Sequence, residues 1–302
     1  MKPEPPPERA AAAAGMKPEL IGWLLAAPAV LFLLAWFVLP AAQTLYLGFG
    51  ARTEAGVMHH GLTLENYVRA FSTDLYWRVL LRTVRMATAA AIVSAIVGYP
   101  LAWAVAGGSA WLSRTVTLVV VAPLMVNVVV RSYGWSAILS RNGLISWIAI
   151  ALGISDDPPA LLYTEWAVLI ASVHVFMPFM VLPLAGAIGR IPPAVEHAAT
   201  VAGASPLRCF LRVTFPLSLP GLAVGIPLVF SLTAAAYVTP QILGGNFAPL
   251  IGTLIEQQVL TLHDWPFGAA LASLLVALVL VVNLVFIGVI GRRLRGWAAA
   301  PA

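Results

Sequence analysis

Charge is what this 302-residue chain has least of. Asp, Glu, Lys and Arg together make up 10% of it, where a soluble domain carries roughly 25%. So few charges cannot furnish a water-facing surface, and 61% of the residues are hydrophobic, with a mean hydropathy of +0.92. Lipid is therefore the solvent for much of the chain. Cysteine is also scarce. Cys209 stands alone, which excludes an internal disulfide. No Gly-x-x-x-x-Gly-Lys-Ser/Thr stretch occurs, so the chain does not hydrolyse ATP through that phosphate-cradling loop. Gly-x-Ser-x-Gly is missing too, and with it the exposed serine of a strand-to-helix elbow. The net charge of +5 is scattered, with no basic run interleaved with aromatics in a polar segment, and nucleic acid is not an expected partner.

The long charge-free windows are what the chain does have. A spanning helix needs about 20 mostly apolar residues. Windows of that kind run from Leu20 to Ala42, Met86 to Ser113, Thr115 to Val130 (extended back past Arg114 to Trp111), Trp166 to Gly189, Leu217 to Ile242 and Trp265 to Gly291. Gly244-Gly245-Asn246 closes the fifth. The expected fold is all-α and membrane-integral, with six transmembrane helices. A shorter apolar window, Asn142 to Ser155, rises only about 21 Å as a helix and reads as an interfacial or re-entrant segment. The first helix exceeds a signal-peptide core, and its lead holds Pro5-Pro6-Pro7 and two glutamates, so it reads as uncleaved. Residues 1–18 are Pro- and Ala-rich, a composition that favours disorder. The membrane domain is then expected over 19–295, with a short tail at 296–302.

Lys and Arg set the orientation. With the N-terminus inside, ten fall in cytoplasmic segments and seven outside, while eight of the twelve acids fall outside. Both termini are expected in the cytoplasm. Arg78, Arg82 and Arg85 oppose this bias. They share one helical face just before the second window and read as an outer amphipathic helix entering the membrane. Every Asp and Glu lies in a loop or at a helix end, whereas ion-coupled carriers usually place such groups within the spans. Arg131 is the deepest charge, open to a snorkelling or a gating role. An intramembrane enzyme is the other class to weigh. His174 and Ser172 share the fourth window, with Ser94 and Ser231 elsewhere, but no nucleophile-and-base pattern joins them. His59-His60 lacks a spaced third ligand.

Between the fourth and fifth windows lies a polar stretch from Arg190 to Pro216. Pro192-Pro193 fits a helix start. Ala198, Ala199 and Ala202 favour helix and leave a smooth surface. Gly203 marks a turn, after which Ser205 and Pro206 suit an N-cap and a first helical position. Two short helices around Gly203 are expected, offering a cytoplasmic surface for another protein.

This stretch resembles the signature loop of binding-protein-dependent ABC importer permeases. Their pattern is Glu-Ala-Ala, three residues, Gly, then Ile-x-Leu-Pro. Aligned on Gly203, the alanines fall on Ala198 and Ala199, Val213 takes the Ile place, and Phe215-Pro216 the Leu-Pro. The Glu place holds His197, with Glu196 one residue early. Val130 to Trp135, Arg141 to Leu144, Ala236 to Pro240, Leu243 to Gly245 and Asp264 to Ala270 look like the spermidine/putrescine branch. The resemblance implies an ATPase-coupling loop carrying Glu196, His197, Ala198, Ala199, Gly203, Ala204 and Phe210. It also implies an inner-membrane location, a second homologous permease, an ABC ATPase dimer and an extracytoplasmic binding protein. No cofactor is expected in this chain, since ATP and magnesium would belong to the ATPase. Tyr133, Trp135, Tyr237, Glu256, Asp264 and Trp265 stand at or near outer helix ends and form a possible substrate path. Acids beside aromatic faces suit a polyamine; aromatic belts at membrane interfaces are the plainer account. An opine, an amino-acid-like compound or another small solute is the alternative.

Overall fold

The computed structural model describes residues 18–52, 58–155, 158 and 160–298. The Pro- and Ala-rich lead, apart from Pro18, and residues 299–302 lie outside them. Helix α1 (Pro18–Gly48) is followed by a hairpin, β1 (Gly50–Arg52) and β2 (Met58–Leu62), then α2 (Glu65–Ser72) and α3 (Asp74–Gly107). Next come α4 (Ala110–Val121), a 3-10 turn (Ala122–Met125), α5 (Val128–Leu139), α6 (Leu144–Ala151) and α7 (Glu165–Ile188). The chain continues through α8 (Pro193–Val201), α9 (Pro206–Cys209), a π-helical turn (Phe210–Thr214) and α10 (Phe215–Ala235). It ends with α11 (Val238–Gly244), α12 (Ile251–Glu256), a second π turn (Gln257–Thr261) and α13 (Trp265–Ala298).

Five helices are long and apolar enough to cross a bilayer: α1, α3, α7, the run from Pro206 to Ala235, and α13. The pair Ala110–Met125 and Val128–Ala151, bent by 107°, makes a sixth if counted as one broken span. The third window is thus not the straight helix expected from Trp111 to Val130. Pro123 cannot donate a backbone hydrogen bond, and Asn127 Oδ1 caps a new helix by accepting from the Val129 N–H at 2.8 Å. Arg131 closes the bend by donating to the Pro123 carbonyl. The short apolar window at Asn142 is the helix α6, which continues from this bend.

The fifth window also ends earlier than expected. Helix α10 stops at Ala235, and Ala236 is extended. Pro240 explains the break, because its ring would collide with the carbonyl four residues back, at Ala236. Helix α3 begins at Asp74 rather than Met86, so the basic face and the span are one 34-residue helix about 51 Å long. Helix α13 runs through the expected boundary at 295 to Ala298. The hairpin departs from an all-α expectation. Asn66 pins its base, donating to the carbonyls of Gly48 and Gly50 at 3.0 and 2.9 Å.

Helices α3, α7 and α10 form the core. Ala87, Ala90, Ala91, Ser94, Gly98 and Ala102 line the buried face of α3, and small residues let membrane helices approach closely. Gly221 of α10 lies so near α7 that a Cβ would sit 2.8 Å from Leu184 Cα. Met180, Val181 and Leu184 are wholly buried between these helices. Asn283 of α13 donates to Ser231 of α10 at 2.8 Å.

Candidate functional site

The loop after Arg190 follows the signals at Pro193, Gly203 and Ser205, but only α8 is a separate short helix, because α9 runs on through the π turn into α10 as one helix from Pro206 to Ala235. Pro193 opens α8 at its first turn. Gly203 has φ +84°, the left-handed region that glycine enters without a Cβ penalty. Ser205 caps α9 by accepting from the Arg208 N–H at 3.4 Å, with Pro206 at the first position. Of the residues assigned to the coupling surface, His197, Ala198 and Gly203 are exposed, while Ala199, Ala204 and Phe210 are half-buried.

Glu196 turns inward. Its Oε1 accepts from the Thr214 hydroxyl at 2.7 Å, tying α8 to the π turn that leads into α10. The one-residue offset from the family pattern therefore places an exposed His197 on the surface and gives Glu196 a bracing role.

Phe210 anchors the loop to the end of α3. Its ring stacks on Trp103 at 5.5 Å between centroids and meets Tyr99 edge-on at 5.2 Å. The Tyr99 hydroxyl lies 2.8 Å from Ser218 Oγ. A cavity of about 270 Å³ separates Trp103 from Glu196, His197, Cys209 and Thr214. Sequence reasoning missed Tyr99, Trp103 and Thr214, which contact the loop from distant or unmarked positions. It also passed over Val201 and Leu207, apolar side chains that are 90% and 67% exposed on the loop. Their signal was present: they are the two large apolar residues flanking the Gly203 turn in the otherwise small and polar run from Glu196 to Cys209.

At the opposite end of α3, the basic face finds its partners. Arg82 Nε lies 3.0 Å from Glu165, and Arg85 pairs with the same carboxylate. Arg78 pairs with Asp74 one turn back at 2.6 Å. Glu165 opens α7, so these pairs hold the N-terminal third of α3 beside the first turn of α7.

The six residues of the possible substrate path do not form one group. Asp264 is only 2% exposed. It takes Arg69 at 3.1 Å and accepts from the Phe267 N–H at 3.3 Å, while Arg69 lies 4.0 Å over the Phe267 ring. This carboxylate is engaged in closing the start of α13 and does not face a solute. Trp135 donates to His174 Nδ1 at 3.2 Å, beside an apolar cavity of about 440 Å³ between α4 and α7. Tyr133 and Trp265 are exposed. Tyr237 is exposed at the α10–α11 break. Glu256 accepts from Gln241 at 3.3 Å. No described hydrogen bond joins His174 to Ser94, Ser172 or Ser231, and no group of three or more His, Cys, Asp or Glu is placed to hold a metal among the described residues.

A bundle of long apolar helices, a broken pair and a helical loop braced at one end define a multi-pass membrane protein. The chain belongs to the family of binding-protein-dependent transport system inner membrane components, whose model matches residues 98–296. It is a permease subunit of an ABC importer. Its similarity to the spermidine/putrescine transport system permease protein PotB of Escherichia coli K12 is 34% identity over 251 residues, covering 83% of this chain and 88% of the relative. PotB of Haemophilus influenzae is 31% identical over 241 residues, 80% of this chain and 84% of that protein. The fold matches a chain in the crystal structure of a bacterial alginate ABC transporter in complex with an alginate pentasaccharide-bound periplasmic protein. There the TM-score is 0.73 at 16% identity, over 91% of this chain and 96% of that one.

Proposed function

We propose that the chain forms half of the translocation path of an importer for polyamines or similar small organic cations, with the Gly203 loop as the docking surface for a separate ATPase. A second homologous permease, an ATPase dimer carrying ATP and magnesium, and an extracytoplasmic binding protein complete the machine. Relatives named for spermidine and putrescine, 31–34% identical over at least 80% of this chain, are the observation that carries the substrate reading. The outer segments favour it as well. Gln241 to Pro266 holds Glu256 and neither Lys nor Arg. In the proposed mechanism, ATP closes the ATPase dimer, the braced loop moves with it, and α3 and α10 follow through Phe210 and the Glu196–Thr214 bond. Competition is the test. Uptake by the reconstituted importer falls when spermidine or putrescine competes. Transport of an anionic opine without polyamine competition would remove the substrate reading and leave the permease.

The proposed topology has six spans and cytoplasmic termini. The salt bridges at Glu165 support it, since they set the N-terminal third of α3 and the start of α7 on one side. The chain from Gly108 to Thr164 must then cross back once, which suits a single broken span. Phe210 packs near the far end of α3, so the loop lies on the opposite side from those bridges. Cys209, half-buried in that loop, reports its side. An impermeant maleimide added to intact cells leaves it unlabelled, and inverted vesicles stripped of ATPase label. Labelling from outside would overturn this topology.

A further inference from the structure

Helix α11 ends at Gly244, and Gly245, with a φ of +52°, turns the chain back towards α12. The turn encloses a polar cavity of about 230 Å³ lined by Gln241, Asn246, Thr253, Glu256, Gln257 and Thr261, among others. The cavities beside Trp135 and beside Tyr99 are walled mainly by apolar and aromatic side chains, and in the one beside Trp103 the carboxylate of Glu196 is taken by Thr214. This one gathers three side-chain amides and two hydroxyls around a single carboxylate. Gln241 donates one hydrogen bond to Glu256 Oε2, and no described salt bridge engages that carboxylate. The stretch from Gln241 to Pro266 contributes no Lys or Arg. A primary ammonium carries three donors and no acceptor. It needs one anion and neutral oxygens around it, and the amide and hydroxyl oxygens here are of that kind. An anionic solute would meet Glu256 without a compensating cation.

We infer that the cavity between α11 and α12 binds one primary ammonium group of the transported solute, with Glu256 as its counter-ion. This rests on the polyamine reading above and deepens it: it gives one amine of the solute a fixed place on the permease itself. Asp264, engaged by Arg69, takes no part.

The test has two arms in right-side-out proteoliposomes holding the complete permease–ATPase assembly. In the first, this chain carries Cys209→Ser and Asn246→Cys, so its one thiol sits on the cavity wall, and binding protein is left out so that no lysine of that protein supplies the ammonium. Ethylammonium chloride slows labelling by an impermeant maleimide, sodium acetate of equal ionic strength does not, and adding Glu256→Gln removes the protection. Labelling that ethylammonium does not slow would overturn the site. In the second arm, with binding protein present, Glu256→Gln raises the half-saturating putrescine concentration about 10-fold, the loss expected for one charge-assisted contact. Putrescine uptake unchanged by Glu256→Gln overturns the site and leaves the polyamine reading intact. Absence of any polyamine uptake by the wild type, with ethylammonium protection retained, overturns the polyamine reading and leaves the ammonium site.

Discussion

A Gly203→Asp variant will reach the membrane at close to the wild-type level and transport nothing. Two features of Gly203 separate the causes. Its φ of +84° is left-handed, and an ideal Cβ there meets nothing within 4 Å. The site therefore constrains backbone conformation and not volume. Asp and Asn are the side chains that enter this region most readily, so the elbow between α8 and α9 survives either substitution. What Asp adds is a carboxylate on the proposed docking face. An unpaired charge buried at a packed contact costs about 3–5 kcal/mol, and each 1.4 kcal/mol is a factor of about 10 in affinity. The ATPase should no longer co-purify. Gly203→Asn keeps the elbow without the charge and retains docking. Wild-type co-purification of the ATPase with Gly203→Asp would remove the docking assignment.

Gly221→Val will sharply lower the amount and thermal stability of folded protein in detergent. A Cβ at Gly221 would lie 2.8 Å from Ala187 Cβ and Leu184 Cα, and 2.9 Å from the Pro183 carbonyl oxygen. Backbone atoms of a facing helix cannot rotate away as a side-chain tip does. Overpacking of a tight core typically costs about 1–3 kcal/mol, and here α7 and α10 must separate along their contact. Gly186 of α7 is the control, since a Cβ there meets nothing within 4 Å. Gly186→Ala holds or raises stability, as alanine exceeds glycine in helix propensity by about 1 kcal/mol. A thermal melt of the two variants checks the pair. A Gly221→Val protein as stable as wild type would contradict the close α7–α10 packing.

What the sequence made legible followed from local physics. Apolar length marked α1, α7 and α13, and the Pro-Pro, Gly and Ser-Pro signals placed α8, the Gly203 turn and α9. Where it misled, the cause lay between elements. Nothing in the apolar run from Trp111 to Val130 announced that Asn127 would cap a new helix while Arg131 reached back to Pro123. Pro240 did carry the signal for the break at Ala236, because the clash falls four residues back, but Gly244-Gly245 nearby drew the boundary later. The basic face of α3 looked misplaced until Glu165, some 80 residues on, supplied its counter-ion. Asp264 read as a substrate acid because its partner, Arg69, is 195 residues away in sequence. The same distance effect hid Trp103 from the loop that rests on it.

Uptake into proteoliposomes with and without the separate ATPase tests the central claim most directly. The chain lacks a phosphate-cradling loop of its own, and no Asp or Glu stands in the interior of its long spans. With the second permease, the ATPase and the binding protein present, solute should accumulate only when ATP can reach the ATPase. Omitting the ATPase should abolish accumulation, and an imposed proton or sodium gradient should not restore it. Accumulation by the permeases alone, driven by an ion gradient, would contradict the account.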